Sequence, residues 1–128
     1  MNVLVVDTSS WISYFKKGNK KIDDALREGR VFLPSVVAAE ILSGISGDSQ
    51  RKKMKEFLSE LPLCDNALDH WIRVGELRLE LAKKGLTVST PDAHIAQCGI
   101  DLDGYVLSED KIFRKMNKLK SFRLLFTL

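Results

Sequence analysis

Unbroken apolar runs, each too short for a helix and each bordering a stretch of helical spacing, constrain the fold of this chain most. The first is Met1 to Val6, where Val3-Leu4-Val5-Val6 shows none of the polar alternation of a strand with one wet face. Such a run suits a strand buried on both sides. Val31-Phe32-Leu33, Tyr105-Val106-Leu107 and Arg123-Leu124-Leu125-Phe126 also read as strands, and Pro62-Leu63-Cys64 offers a further short one.

Helical patterns lie between the strands. Thr8, Ser9 and Ser10 offer caps for a helix carrying Trp11, Ile12, Tyr14 and Phe15. A second helix covers about Lys20 to Arg27 and stops at Gly29, and Pro34-Ser35 opens one that runs to about Gly44. From Asp48 a basic amphipathic helix turns Met54, Phe57, Leu58 and Leu61 inward and Arg51, Lys52, Lys53 and Lys55 outward. Asn66 caps a long helix with apolar positions at Trp71, Val74, Leu77, Leu81 and Ala82, closed by Gly85. Thr90-Pro91 starts a helix that ends at Gly99, and Ser108 caps the last one. Strands alternating with helices imply an α/β fold with a mostly parallel sheet and helices on both faces. Sites in such sheets form beyond the carboxyl ends of the strands, near the point where the strand order reverses.

At 128 residues the chain has the size of one domain, spanning 1–128, with no linker, repeat or low-complexity tract. Its hydrophobic share of 45% and charged share of 29% are those of a soluble globular protein. No apolar run approaches the roughly 20 residues of a membrane span. The N-terminus has no signal-peptide pattern, so the expected location is the cytoplasm, with no membrane partner. Cys64 and Cys98 are far apart in sequence and match no metal or redox spacing, so they read as reduced thiols filling the core. A net charge of +3 admits a nucleic-acid partner without requiring one.

Four acids interrupt this pattern. Asp7 ends the first apolar run, and Glu40 breaks Val36-Val37-Ala38-Ala39-(Glu40)-Ile41-Leu42. Asp92 opens Pro91-Asp92-Ala93-His94-Ile95-Ala96, and Asp110 follows Tyr105-Val106-Leu107. Each Asp has an ordinary explanation as a helix cap or first-turn acid. Glu40 resists one, because Val36, Val37, Ser43 and Gly44 supply no opposite charge at helical spacing. A carboxylate buried without a partner costs several kcal/mol, and a divalent cation would compensate a cluster of them. Other candidates are weaker. His94 falls on a different helix face from Asp92, and His70 has no acid or Cys at ligand spacing. No glycine-rich phosphate loop and no nucleophile elbow is present. Trp11, Tyr14 and Phe15 read as core or as an apolar interface.

The segments Val5-Val6-Asp7-Thr8-Ser9-Ser10-Trp11-Ile12, Pro34-Ser35-Val36-Val37-Ala38-Ala39-Glu40-Ile41, Thr90-Pro91-Asp92-Ala93-His94-Ile95-Ala96 and Leu107-Ser108-Glu109-Asp110-Lys111-Ile112-Phe113 occur in this order across nearly the whole chain. In this the chain resembles a single PIN-domain ribonuclease, most similar to the VapC toxins of type II toxin–antitoxin modules. The resemblance implies a three-layer α/β/α sandwich. It also implies a catalytic quartet of Asp7, Glu40, Asp92 and Asp110, with Asp7, Asp92 and Glu40 as ligands of Mg²⁺ or Mn²⁺ and Thr8 and Ser108 in support. Carboxylates are the hard oxygen donors these ions prefer. The implied activity is hydrolysis of RNA to 3′-hydroxyl and 5′-phosphate ends, by a homodimer restrained by a cognate antitoxin protein. Lys16, Lys17, Lys20, Lys21, Arg51, Lys52, Lys53 and Lys55 are the candidate phosphate contacts. One departure stands out: the family often has a further Asp where this chain has Ile112. That keeps an alternative in view, a PIN-like module that binds RNA or a protein without cleaving.

Overall fold

Lacking polar alternation, the first strand must be covered on both faces, and it is. In the computed structural model, which describes residues 2–64 and 67–127, β1 (Leu4–Val6) is buried at every position. It lies inside a four-stranded sheet of order β2-β1-β3-β4, with β2 at Val31–Phe32, β3 at Tyr105–Ser108 and β4 at Leu124–Phe126. Every pairing is parallel, and Val5 stands between Phe32 and Val106 in register. The helices are α1 (Thr8–Lys17), α2 (Lys20–Arg27), α3 (Ser35–Ser43), α4 (Asp48–Ser59), α5 (Leu68–Lys83), α6 (Thr90–Asp101) and α7 (Lys111–Leu119). From β1 the order runs one way to β2 and the other way to β3. Right-handed crossovers therefore place α1 and α2 on one face and α6 and α7 on the other, while α3 touches both α1 and α6 and α4 packs on α1. The crevice at the carboxyl ends of β1 and β3 is the switch point.

The expected α/β architecture holds, and several local expectations change. Asn66 lies outside the described residues, as does Met1; α5 begins at Leu68 with Ala67 before it. Asp7, not one of the following hydroxyls, caps α1, its side chain accepting from the Ser10 amide. Ser89 caps α6, so Thr90 is already helical. Ser108 still pairs with Phe126 in the sheet, and Asp110 caps α7 instead. Pro62 to Cys64 contributes a single bridge, Leu33 to Leu63, rather than a strand. Ala82 is exposed.

Gly99 does not end α6. A Cβ there would stand 2.6 Å from Val106 Cγ2, so this glycine lets the helix lie directly on β3 while continuing to Asp101. The core is built from Trp11, Phe113, Ile22, Leu33, Leu81 and Leu107, all essentially solvent-free. Among the described residues no helix is long and apolar enough to cross a membrane.

Candidate active site

Asp7 leaves the sheet where β1 ends and is the one member of the acidic quartet that is buried, at 3% exposure. Three donors hold its carboxylate: the Ser10 amide on Oδ1 at 2.9 Å, and the Ser9 and Ser108 hydroxyls on Oδ2 at 3.0 and 2.7 Å. A carboxylate has about four lone-pair sites, so these bonds fix its orientation and leave Oδ1 able to accept once more. Ser108 in turn accepts from the Asp110 amide at 2.9 Å, which ties the ends of β1 and β3 together. The Asp110 carboxylate is exposed and accepts from the Ile112 amide at 3.0 Å.

Glu40 is exposed, which corrects the expectation of a buried acid. On the short helix α3 the core takes Val37 and Ile41, and position 40 turns out of it. Its partner comes from another element: Thr8 Oγ1 donates to Glu40 Oε1 at 2.6 Å. Asp92, partly buried at the start of α6, accepts from the hydroxyl of its own cap, Ser89, at 3.0 Å.

Electrostatics shows that the four acids share one region. Burial is the largest influence on Asp92 and raises its pKa; the Ser89 hydrogen bond opposes this, and the charges of Asp110, Glu40 and Asp7 each raise it further. The carboxylates of Asp7, Glu40 and Asp110 thus bear on Asp92 across the switch point. Sequence reasoning missed three of the residues that organise them: Ser9, Ser10 and Ser89. Their signal was their position at or near the first turn of a helix that carries an acid. Glu109, beside Asp110, accepts from Ser13 at 2.8 Å and closes the same edge. Ile112, in the place where a further acid was considered, packs against the core.

Beside this edge Trp11 is fully buried and stacks on Phe15, with ring centroids 5.6 Å apart, while Phe57 meets both edge-on. Phe15 and Ile12 remain 41% and 44% exposed, so the aromatic group is core on one side and surface on the other. A groove of about 710 Å³ opens there between Phe15, Ile45, Met54 and Phe57. Among the basic residues, Lys20 pairs with Asp24. Arg51 pairs with Asp48 and caps the carbonyls of Ile45 and Ser46. Lys16, Lys17, Lys21, Lys52, Lys53 and Lys55 are exposed.

Neither histidine belongs to the acidic edge. His70 is 1% exposed and His94 is fully buried where α5 packs on α6. His70 is a packing residue with polar partners: Nδ1 lies 2.8 Å from Asp101 Oδ2, and Nε2 lies 2.7 Å from His94 Nδ1. Trp71 stacks on His94 with centroids 4.5 Å apart. Burial, and then the neighbouring His70, lower the His94 pKa to about 4. Burial pushes Asp101 up, but the hydrogen bonds from Arg73, His70 and Gln97 outweigh it and hold its carboxyl at about 2. The cysteines also meet, although they are distant in sequence: the Cys64 thiol, and then burial, raise the pKa of Cys98.

The PIN domain family model matches residues 4–119. Comparison with curated proteins finds no match. Among solved structures, the chain is similar to DNA-bound VapBC from Salmonella typhimurium, at 23% identity with 98% of each chain covered and a TM-score of 0.79. It is similar to VapBC2 from Rickettsia felis, bound to a DNA fragment from the promoter, at 21% identity over 98% of this chain and 99% of that one, TM-score 0.77. VapBC-5 from Mycobacterium tuberculosis, a member of the VapBC family of toxin–antitoxin systems, is 22% identical over 99% and 100%, TM-score 0.72. These likenesses match the parallel sheet and its helices, and with the family model over residues 4–119 they establish that the chain belongs to the PIN-domain family.

Proposed function

We propose that this chain is a divalent-metal-dependent endoribonuclease and the toxin of a toxin–antitoxin pair, with Asp7, Glu40, Asp92 and Asp110 as its catalytic acids. The observation that carries this reading is the convergence of three other carboxylate charges on Asp92. Carboxylates that repel one another beyond the carboxyl ends of the strands favour a cation. Their donors are the hard oxygens that suit Mg²⁺ or Mn²⁺. Asp7, Asp92 and Glu40 would hold the ion. When bound, it supplies neutralisation of phosphate charge and acidification of water.

The chain's own residues set the geometry. Ser9, Ser10 and Ser108 lock Asp7, Thr8 holds Glu40, and Ser89 holds Asp92. Lys16, Lys17 and Lys21 are exposed and available to RNA phosphates. The apolar groove at Phe15 and Phe57 fits an antitoxin segment, and the similar solved proteins are VapBC complexes. A homodimer and a cytoplasmic location complete the reading.

The test is incubation of purified protein with RNA in Mg²⁺ or Mn²⁺, for the wild type and Asp92→Asn. Wild type should release 5′-phosphate fragments and Asp92→Asn none, while metal-free Asp92→Asn should be at least as stable because one repelling charge is gone. An Asp92→Asn protein of full activity would overturn the assignment. A wild type that binds RNA but no divalent ion would favour a binding module instead.

A further inference from the structure

Behind the acidic edge, on the other side of α6, four buried side chains with no part in the proposed nuclease chemistry converge. His70 Nε2, His94 Nδ1 and Cys98 Sγ lie within 4.8 Å of one another, and all three residues are buried. Cys98 Sγ is 4.0 Å from His70 Nε2 and 3.9 Å from each ring nitrogen of His94. The second thiol of the chain, Cys64, is buried in contact with Cys98. We propose that His70, His94, Cys98 and Cys64 form a structural site for Zn²⁺ or a similar borderline-soft transition metal, separate from the acidic site.

The donor set, two imidazoles and two thiols, is one of the standard tetrahedral zinc combinations. Zinc–nitrogen bonds of about 2.0–2.1 Å and zinc–sulfur bonds of about 2.3 Å place tetrahedral nitrogens about 3.3 Å apart and nitrogen and sulfur about 3.6 Å apart. From 2.7 Å between the two imidazoles and 3.9–4.0 Å between imidazole and thiol, the nitrogens must part by about 0.6 Å and the thiol must approach by about 0.3–0.4 Å. Those are side-chain adjustments rather than a change of fold. Cys64 follows the Leu33–Leu63 bridge and, as the neighbour of Cys98, is the fourth donor in the proposal.

A supporting shell is already in place. Metal-binding histidines commonly donate their second ring N–H to a carboxylate, which fixes the tautomer. His70 Nδ1 does this to Asp101 Oδ2 at 2.8 Å, leaving Nε2 with its lone pair toward His94 and Cys98. Asp101 is itself fixed by Arg73 Nε and Nη2, both at 2.9 Å, and by Gln97 Nε2 at 2.8 Å. Trp71 covers the outer face of His94. Without metal the His70–His94 pair is a neutral hydrogen bond. On binding, the thiols lose their protons to solvent, and the His94 proton that bridges Nδ1 to His70 Nε2 moves to Nε2, which frees Nδ1 for the ion. The site then ties α5 and α6 to the chain at the Leu33–Leu63 bridge.

Co²⁺ and Zn²⁺ titrations of the reduced, metal-stripped full-length protein test this. Cobalt should give the intense tetrahedral visible spectrum with a thiolate-to-metal charge-transfer band that saturates at one thiolate-bound ion per chain, and zinc should displace it. Cys98→Ser and Cys64→Ser, both nearly isosteric, should each weaken zinc binding at least 100-fold and diminish the charge-transfer band. Asp101→Asn, which removes only the orienting carboxylate, should weaken it about 10- to 100-fold. Asp7→Asn and Asp92→Asn should leave both the cobalt band and zinc affinity unchanged. Cobalt bound without a thiolate band, zinc lost with Asp92 rather than Cys98, or a reduced wild type that takes up no zinc would each overturn the proposal. So would a protein whose cysteines form a Cys64–Cys98 disulfide and bind no zinc once reduced.

Discussion

Ser108→Ala isolates the contact on which the geometry of the acidic edge depends. The hydroxyl is fully buried, donates to Asp7 Oδ2 at 2.7 Å and accepts from the Asp110 amide at 2.9 Å. A hydrogen bond to a charged group contributes about 1.5–3 kcal/mol and a neutral one about 0.5–1.5 kcal/mol. Alanine removes both bonds at a buried position, so the expected loss is about 2–4 kcal/mol. For a domain of this length each kcal/mol lowers Tm by about 4 °C, so the melting point should fall by about 8–16 °C.

Equilibrium urea unfolding of wild type, Ser108→Ala, Asp7→Asn and the double variant measures the coupling between the two side chains. It should exceed about 1 kcal/mol, as expected of residues in one hydrogen-bond network. RNA cleavage should drop as well, because Asp7 loses one of its three anchors. A Ser108→Ala protein within about 0.5 kcal/mol of wild type, with no coupling to Asp7, would refute the idea that this hydroxyl organises the edge.

Two further outcomes follow from other contacts. Gly99→Ala should cost about 1–3 kcal/mol by forcing α6 away from Val106, measured by denaturant midpoint; a neutral result would mean that α6 and β3 are not in close contact. In a Tyr105→Phe background, Tyr14 should ionise above the ordinary tyrosine value, because its hydroxyl donates to Asp23 at 2.6 Å and burial and the Asp23 charge add to this. The neutral phenol is the favoured form in the folded protein, so this contact contributes stability below about pH 10 and loses it as pH rises past the folded pKa. Ultraviolet titration should therefore show a late transition that Asp23→Asn moves earlier. An identical titration in both proteins would contradict it.

What the sequence determined was whatever depends on neighbours along the chain. Val3 to Val6 without polar alternation dictated a strand covered on both sides, and alternation with helical stretches dictated a parallel sheet. The order of Asp7, Glu40, Asp92 and Asp110 then pointed to one edge. Where a cap stands next to its helix, local reading came within a residue or two, as at Lys20–Arg27 and Ser35–Ser43.

The tertiary structure decided what depends on residues distant in sequence. Gly99 carries the same local signature whether it ends a helix or lets one rest on Val106, and only packing distinguishes the two. Glu40 looked buried because its sequence neighbours are apolar, yet a nine-residue helix buries one stripe, and position 40 lies off it beside Thr8. His94 and Cys98 share one face of α6 at i,i+4, but their meeting with His70 is set by how α5 packs on α6 and with Cys64 by a more distant segment, which no local period reports. Periodicity reports which side of an element is apolar. Which elements then share that side is fixed only when the chain closes on itself.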